Sequence, residues 1–227
     1  MLDTYIVTST LSRVNALAGG LFLLTTFALV ATRQVQAYLR IYIGQSLLLA
    51  CSALFLGALH GSFHLLGVAA VTLAVKSTLI PWLLRRTVGK DLYARREISQ
   101  ILNVPTSLLI ALAITIFAYV LTAPLLYAAA GTYERTNLPI GAAALFLGIY
   151  TITVRREAVP QVIGILAMEN GAFFAGVSIA PNLPLIAELA AAFDVLIIAL
   201  VMGILTRKIH EHVGTTSVGE MISLRED

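Results

Sequence analysis

Apolar residues in this chain fall in long unbroken runs, not in short amphipathic stripes, and brief polar stretches holding most of the arginines separate the runs. Seven runs can be delimited, at 14–32, 37–58, 63–84, 104–127, 138–154, 159–180 and 184–206. A helix rises about 1.5 Å per residue, so about 20 apolar residues cross the hydrocarbon layer of a bilayer. Seven transmembrane helices are therefore expected, the fifth being the shortest. Pro105, Pro139, Pro160 and Pro184 fall at or near the starts of runs, where a missing N–H is harmless, and Pro81, Pro124 and Pro181 fall near the ends. The opening MLDTYIVTSTLSR has no basic region before the first run and no small-residue cleavage site after it. The first run is accordingly read as a retained span and not as a signal peptide.

Composition narrows the class. Of 227 residues, 59% are hydrophobic and only 12% charged, whereas a soluble domain carries roughly 25% charged residues. The short loops leave no room for a soluble catalytic domain, and the small net charge of +3 comes from loop arginines and indicates no nucleic-acid partner. The fold class is all-α, a polytopic membrane protein. Cys51 is the single cysteine, so this chain alone can form neither an internal disulfide nor a thiolate-held iron–sulfur cluster.

Charge also gives an orientation. Arg33, Arg40, Arg85, Arg86, Lys90, Arg95, Arg96, Arg155, Arg156, Arg207, Lys208 and Arg225 lie in the loops after runs one, three and five or in the tail, against Arg13 and Arg135 on the opposite side. Losing one helix would invert every later loop, so this asymmetry supports the span count. The positive-inside rule then places the N-terminus outside and the C-terminus in the cytoplasm. The basic stretch from Arg85 to Gln100 reads as a topology-setting loop or an interfacial helix.

Apart from Arg40 at the start of the second run, one cation and three acids fall inside runs: Lys76, well inside the third, Glu169 in the sixth, Glu188 and Asp194 in the seventh. An ionisable group at that depth costs a few kcal/mol or more unless it faces a polar cavity or a partner. Glu169 lies ten residues from Val159 and Asp194 ten from Pro184, which puts both about 15 Å deep, near the midplane. Glu188 sits about one turn inside the outer end. Desolvation favours a protonated carboxyl and a nearby ammonium favours an ionised one, so small changes in packing let a midmembrane acid take up or release a proton. The set Glu169, Asp194, Glu188 and Lys76 is the candidate proton-transfer group; structural capping or pairing with Lys76 is the competing reading. Small residues (Ala187 and Ala191 beside Asp194; Gly171, Ala172, Ala175 and Gly176 on the sixth run) suit close helix packing.

Other motifs carry less. His60 and His64 share a helical spacing but have no third ligand nearby, and His210 and His212 follow the last run. Gly57 and Gly61 form a GxxxG at a helix end, where a turn explains them. There is no nucleophile with base and orienter, no phosphate loop and no HExxH. RQVQAYLRIYIGQSLLLACSALFLG from Arg33 weakly resembles RREAVPQVIGILAMENGAFFAG from Arg155, consistent with a parallel repeat of a three-helix unit.

The segment VIGILAMENGAFFAG, followed by APNLPLIAELAAAFDVLIIALVMGILTRKIHEHVGTTSVGEM, resembles hydrogenase-4 component E. The last three helices and the tail Ser217 to Met221 are in turn similar to the K subunit of respiratory complex I and the C subunit of multisubunit sodium/proton antiporters. The first four runs match only in number and hydrophobicity. The resemblance divides the chain into residues 1–136, four helices with the basic loop 85–100, and residues 137–227, a K-subunit-like unit with a cytoplasmic tail. It puts Glu169 and, with Asp replacing Glu, Asp194 at that subunit's midmembrane glutamate positions. It implies a non-catalytic subunit of an energy-converting hydrogenase complex in the cytoplasmic membrane of a prokaryote, in contact with lipid, antiporter-like subunits and a hydrogenase module. No cofactor is expected in this chain, and the nickel–iron centre and iron–sulfur clusters are expected in partner subunits. An antiporter subunit or a structural spacer are the alternatives.

A cysteine placed at Lys90, with Cys51 replaced, should be labelled by a membrane-impermeant thiol reagent in inverted vesicles and not in intact cells; labelling in intact cells inverts the topology.

Overall fold

The computed structural model describes residues 2–87, 98, 100–128 and 132–179, and positions 192, 196, 199, 200 and 203 of the last run. The helices are α1 (Leu2–Ala31), α2 (Val35–His60), α3 (Phe63–Val71), a π-helical stretch (Thr72–Leu79), α4 (Ile80–Thr87), α5 (Val104–Ala128), α6 (Thr132–Val154) and α7 (Ala158–Ile179). The described residues are helical throughout apart from short connections and isolated bridge residues, among them Gln100 paired antiparallel with Arg155. Among the described residues, five helical stretches are long and apolar enough to cross a membrane, at 13–31, 35–59, 65–85, 104–126 and 136–154. They match the first five runs. The sixth run is α7, and most of the seventh lies outside the described residues, as does most of the basic stretch from Arg85 to Gln100.

Helices extend beyond the runs that announced them. The polar opening is already part of α1, and α6 begins at Thr132, which leaves Pro139 inside the helix and not at its start. Pro124 likewise lies inside α5. Each proline removes one backbone donor from the interior of its helix. Gly61 closes α2 with a left-handed φ of 60° and returns its N–H to the Gly57 carbonyl, so the GxxxG is a turn signal, as glycine's access to positive φ allows.

α1 and α6 run side by side in the same direction. At one end Asn15 and Asn137 exchange hydrogen bonds, Nδ2 to Oδ1, at 3.3 and 3.4 Å. At the other end Arg155, just past α6, reaches the carbonyls of Leu29, Val30 and Thr32. The paired asparagines are 122 residues apart, and the same offset relates Arg13 to Arg135, Gly19 to Gly141, Leu23 to Leu145 and Arg33 to Arg155. A reciprocal contact between equivalent residues on parallel helices is what a two-fold axis produces. The offset is the one at which the faint repetition of the sequence starts, Arg33 to Arg155, and the contact carries it back into α1.

The tightest packing joins α6 to α7. A methyl on Gly148 would come within 2.5 Å of the Met168 Cα, and methyls on Gly141 and Gly171 would collide with the backbones of Ala175 and Leu145. Between apolar helices in lipid, association depends on such close backbone contact. Gly171 and Ala175 thus face α6, as their small size suggested, whereas Ala172 is exposed. With one side of α7 held against α6, the polar residues of α7 turn toward α2 and the π-helical stretch.

Gly148→Val should lower the stability of the chain in detergent by roughly 3 kcal/mol, the scale of core overpacking, while Gly20→Ala and Gly44→Ala, where an added methyl meets nothing within 4 Å, should melt with wild type in a thermal scan.

Candidate functional site

Lys76 is the only lysine within the five apolar stretches, and its side chain is 1% exposed. Its Nζ lies 3.1 Å from Glu169 Oε1, whose side chain is 16% exposed. Phe173, one turn beyond Glu169 on α7, presents its ring 5.1 Å from the same ammonium. A carboxylate and an aromatic face both stabilise a desolvated cation.

The backbone around Lys76 is unusual. From Thr72 to Leu79 the helix widens to π geometry, a form most often met as short insertions at functional sites. The ladder ends as Ile80 donates to the Val75 carbonyl. In that register the Lys76 carbonyl would look to residue 81, a proline with no N–H. Pro81 therefore stops the π ladder, and α geometry resumes in α4.

Beside the ion pair lies a buried amide and hydroxyl network. Asn170 donates to Ser46 Oγ at 2.9 Å and to Gln45 Oε1 at 3.4 Å; Gln45 donates to Thr26 Oγ1 at 3.0 Å; Thr26 donates to the Phe22 carbonyl. Nearer the Asn15 end a second network joins Ser52 to Asn15 at 2.6 Å and Asn137 to both. At the opposite end the Arg155 guanidinium is 1% exposed, lies 5.3 Å from the Tyr38 ring centroid, and donates through Nη2 to the three carbonyls closing α1. Burial lowers the Arg155 pKa, and Tyr38 opposes that shift. Arg155 is thus a buried clamp, not only the loop charge its position suggested.

Of the four residues singled out in the sequence, Lys76 and Glu169 are brought into contact, and Glu188 and Asp194 lie outside the described residues. Leu196 and Ala199, from the same run as Asp194, pack against the cluster that holds Tyr38, Tyr42 and Ile163. His210 and His212 also lie outside the described residues, and no group of three metal-ligating side chains occurs among the described ones. Sequence reasoning missed Asn170, Gln45, Ser46 and Thr26. The available signal was the recurrence of polar side chains on one face of α2, at Tyr38, Tyr42, Gln45, Ser46 and Ser52.

Comparison with known proteins bears on what holds this geometry. An uncharacterized protein of Mycobacterium tuberculosis, Rv0085, is 31% identical over 94% of this chain and 96% of its own length. The chain belongs to the family of that protein. Hydrogenase-4 component E of Escherichia coli K12 is 28% identical over 93% of the chain and 97% of its own length, and the protein of the same name in Shigella flexneri matches equally. These homologues support the family read from residues 162–176. They also extend the likeness to the first four runs, where sequence reading had found agreement only in number and hydrophobicity. No family model and no solved structure matches the chain.

Removing one member of a buried ion pair typically costs about 3 kcal/mol, because its partner stays behind uncompensated. Lys76→Met and Glu169→Gln should each lower the melting temperature in detergent, and the double variant should be more stable than the sum of the two losses; strict additivity would mean the pair is not coupled.

Proposed function

We propose that the chain is a non-catalytic membrane-arm subunit of an energy-converting hydrogenase of the hydrogenase-4 type, and that it supplies midmembrane carboxylates to a proton pathway driven by redox chemistry in partner subunits. The observation that carries this reading is the Lys76–Glu169 pair, 3.1 Å apart at membrane depth, in a chain similar nearly end to end to hydrogenase-4 component E. An acid whose charge is balanced by one ammonium can be switched by a small movement of that ammonium, which is the property a coupled relay needs. Asp194 and, closer to the surface, Glu188 continue the set along the seventh run. The K-subunit-like character of residues 137–227 fits this role, as does an inner membrane location with the N-terminus outside and the C-terminus cytoplasmic. Nickel–iron and iron–sulfur centres belong to the partners, since this chain's lone cysteine cannot ligate a cluster.

The experiment is proton uptake by inverted membrane vesicles driven by the hydrogenase substrate, normalised to assembled complex. Glu169→Gln and Asp194→Asn should each reduce uptake severely, and Glu188→Gln less, because water bypasses a group near the surface. Wild-type uptake in the Glu169→Gln, Asp194→Asn double variant would leave these acids a structural role.

A further inference from the structure

The π-helical stretch that carries Lys76 has two backbone registers open to it, and two neighbouring hydroxyls decide between them. The ladder changes step across the stretch: Thr72 still donates to the Val68 carbonyl, four residues back, whereas Ile80 donates to Val75, five back. The side chains follow the backbone. Thr26, Thr115, Thr122 and Thr151 each donate a hydroxyl hydrogen bond to the carbonyl four residues earlier, the usual return for threonine in an α-helix. Thr78 reaches five residues back instead, to the Leu73 carbonyl at 3.1 Å. That bond matches π geometry, whose own ladder joins residues five apart.

Ser77, beside Thr78, is left over. Its hydroxyl is buried and makes no hydrogen bond. In an α register the carbonyl four residues before Ser77 is that of Leu73, the one Thr78 occupies. Pro81 makes the two registers nearly equal in backbone bonds. Its missing N–H falls opposite the Lys76 carbonyl in the π register and opposite the Ser77 carbonyl in the α register, so one ladder bond is lost either way. Side-chain bonds then carry the balance, and a single hydrogen bond shifts such an equilibrium by up to roughly tenfold. A π turn holds one residue more than an α turn, so conversion rotates part of the helix by as much as about 100°. Lys76, in the middle of the eight residues from Thr72 to Leu79, turns with it.

We propose that Ser77 and Thr78 are alternative latches on the Leu73 carbonyl: Thr78 holds the π register, in which Lys76 meets Glu169, and passage of the carbonyl to Ser77 restores α geometry and draws the ammonium away. The proposal rests on the reading of Glu169 as a proton carrier, and it supplies the movement of the ammonium that the reading requires. While Glu169 is ionised, the 3.1 Å contact with Lys76 adds its attraction to the Thr78 bond. When Glu169 takes up a proton that attraction falls away, and the latch passes to Ser77. Return of the ammonium favours the carboxylate and expels the proton. Both hydroxyls keep their own protons throughout. They act as positioning residues for Lys76.

The test has two arms. Ser77→Ala removes the α latch and nothing that the observed register uses. The full chain carrying it should melt in detergent with wild type or slightly above, because only a buried hydroxyl without a bond is lost. Driven proton uptake by inverted vesicles, normalised to assembled complex, should nevertheless fall about tenfold, the share of one hydrogen bond in the register equilibrium. Thr78→Val removes the π latch. In that background the melting-temperature losses of Lys76→Met and Glu169→Gln should simply add, because the pair no longer meets, whereas in Thr78→Ser, which keeps the hydroxyl, the double variant should again lose less than the sum. Wild-type uptake in Ser77→Ala, or coupling that survives Thr78→Val undiminished, would overturn the proposal. Failure of the proton-carrier reading looks different: Glu169→Gln would then leave driven uptake at the wild-type level, while the melting cycles would still report on the latch.

Discussion

A lysine ammonium held away from both water and headgroups at membrane depth must be neutralised by protein, and the described structure is organised around that demand. Lys76 cannot reach an interface by stretching, because it lies mid-helix and is 1% exposed. Its counter-charge has to come from another helix, which fixes α7 against the π-helical stretch with Glu169 and Phe173 facing inward. The α6–α7 glycine contact secures the opposite side of α7. Together the two contacts leave Asn170 no outlet but α2, where Gln45 and Ser46 receive it.

The membrane class, the first five spans and the residues of the ion pair were legible in the sequence, because length of apolar run and isolated charge are local signals. Partner choice was not. Nothing in the spacing of Lys76, Glu169, Glu188 and Asp194 says which acid meets the lysine, since that depends on helix rotation and on which neighbours approach most closely. Those in turn are set by Gly141 and Gly148, glycines inside an apolar run that no pattern distinguishes from filler. The helix ends were misjudged for a similar reason: hydropathy reports where lipid begins, and a helix such as α1 continues into the polar zone as long as its backbone bonds continue.

Polar side chains inside a membrane bundle usually act either as adhesive between helices or as stations for ions, and here both kinds occur. The Asn15, Ser52 and Asn137 set is fully occupied with its own members and binds α1, α2 and α6 together. Arg155 does the same at the other end by occupying carbonyls that close α1. Between them, Glu169 pairs with a charged group whose release would change its proton affinity.

The reciprocal asparagine pair has a consequence for direction. Two separate copies of a half related by an exact two-fold axis would hold identical groups, so a charge entering one side would meet the same environment as on the other. The two sides of a contact within one chain are free to differ. The position 122 residues before Glu169, by the offset of Asn15 and Asn137, is Leu47, a residue 42% exposed on the outer side of α2. Across the reciprocal α1–α6 contact the carboxylate is carried on one side alone, and the chain thereby has an in-plane polarity that no symmetric pair of subunits could possess.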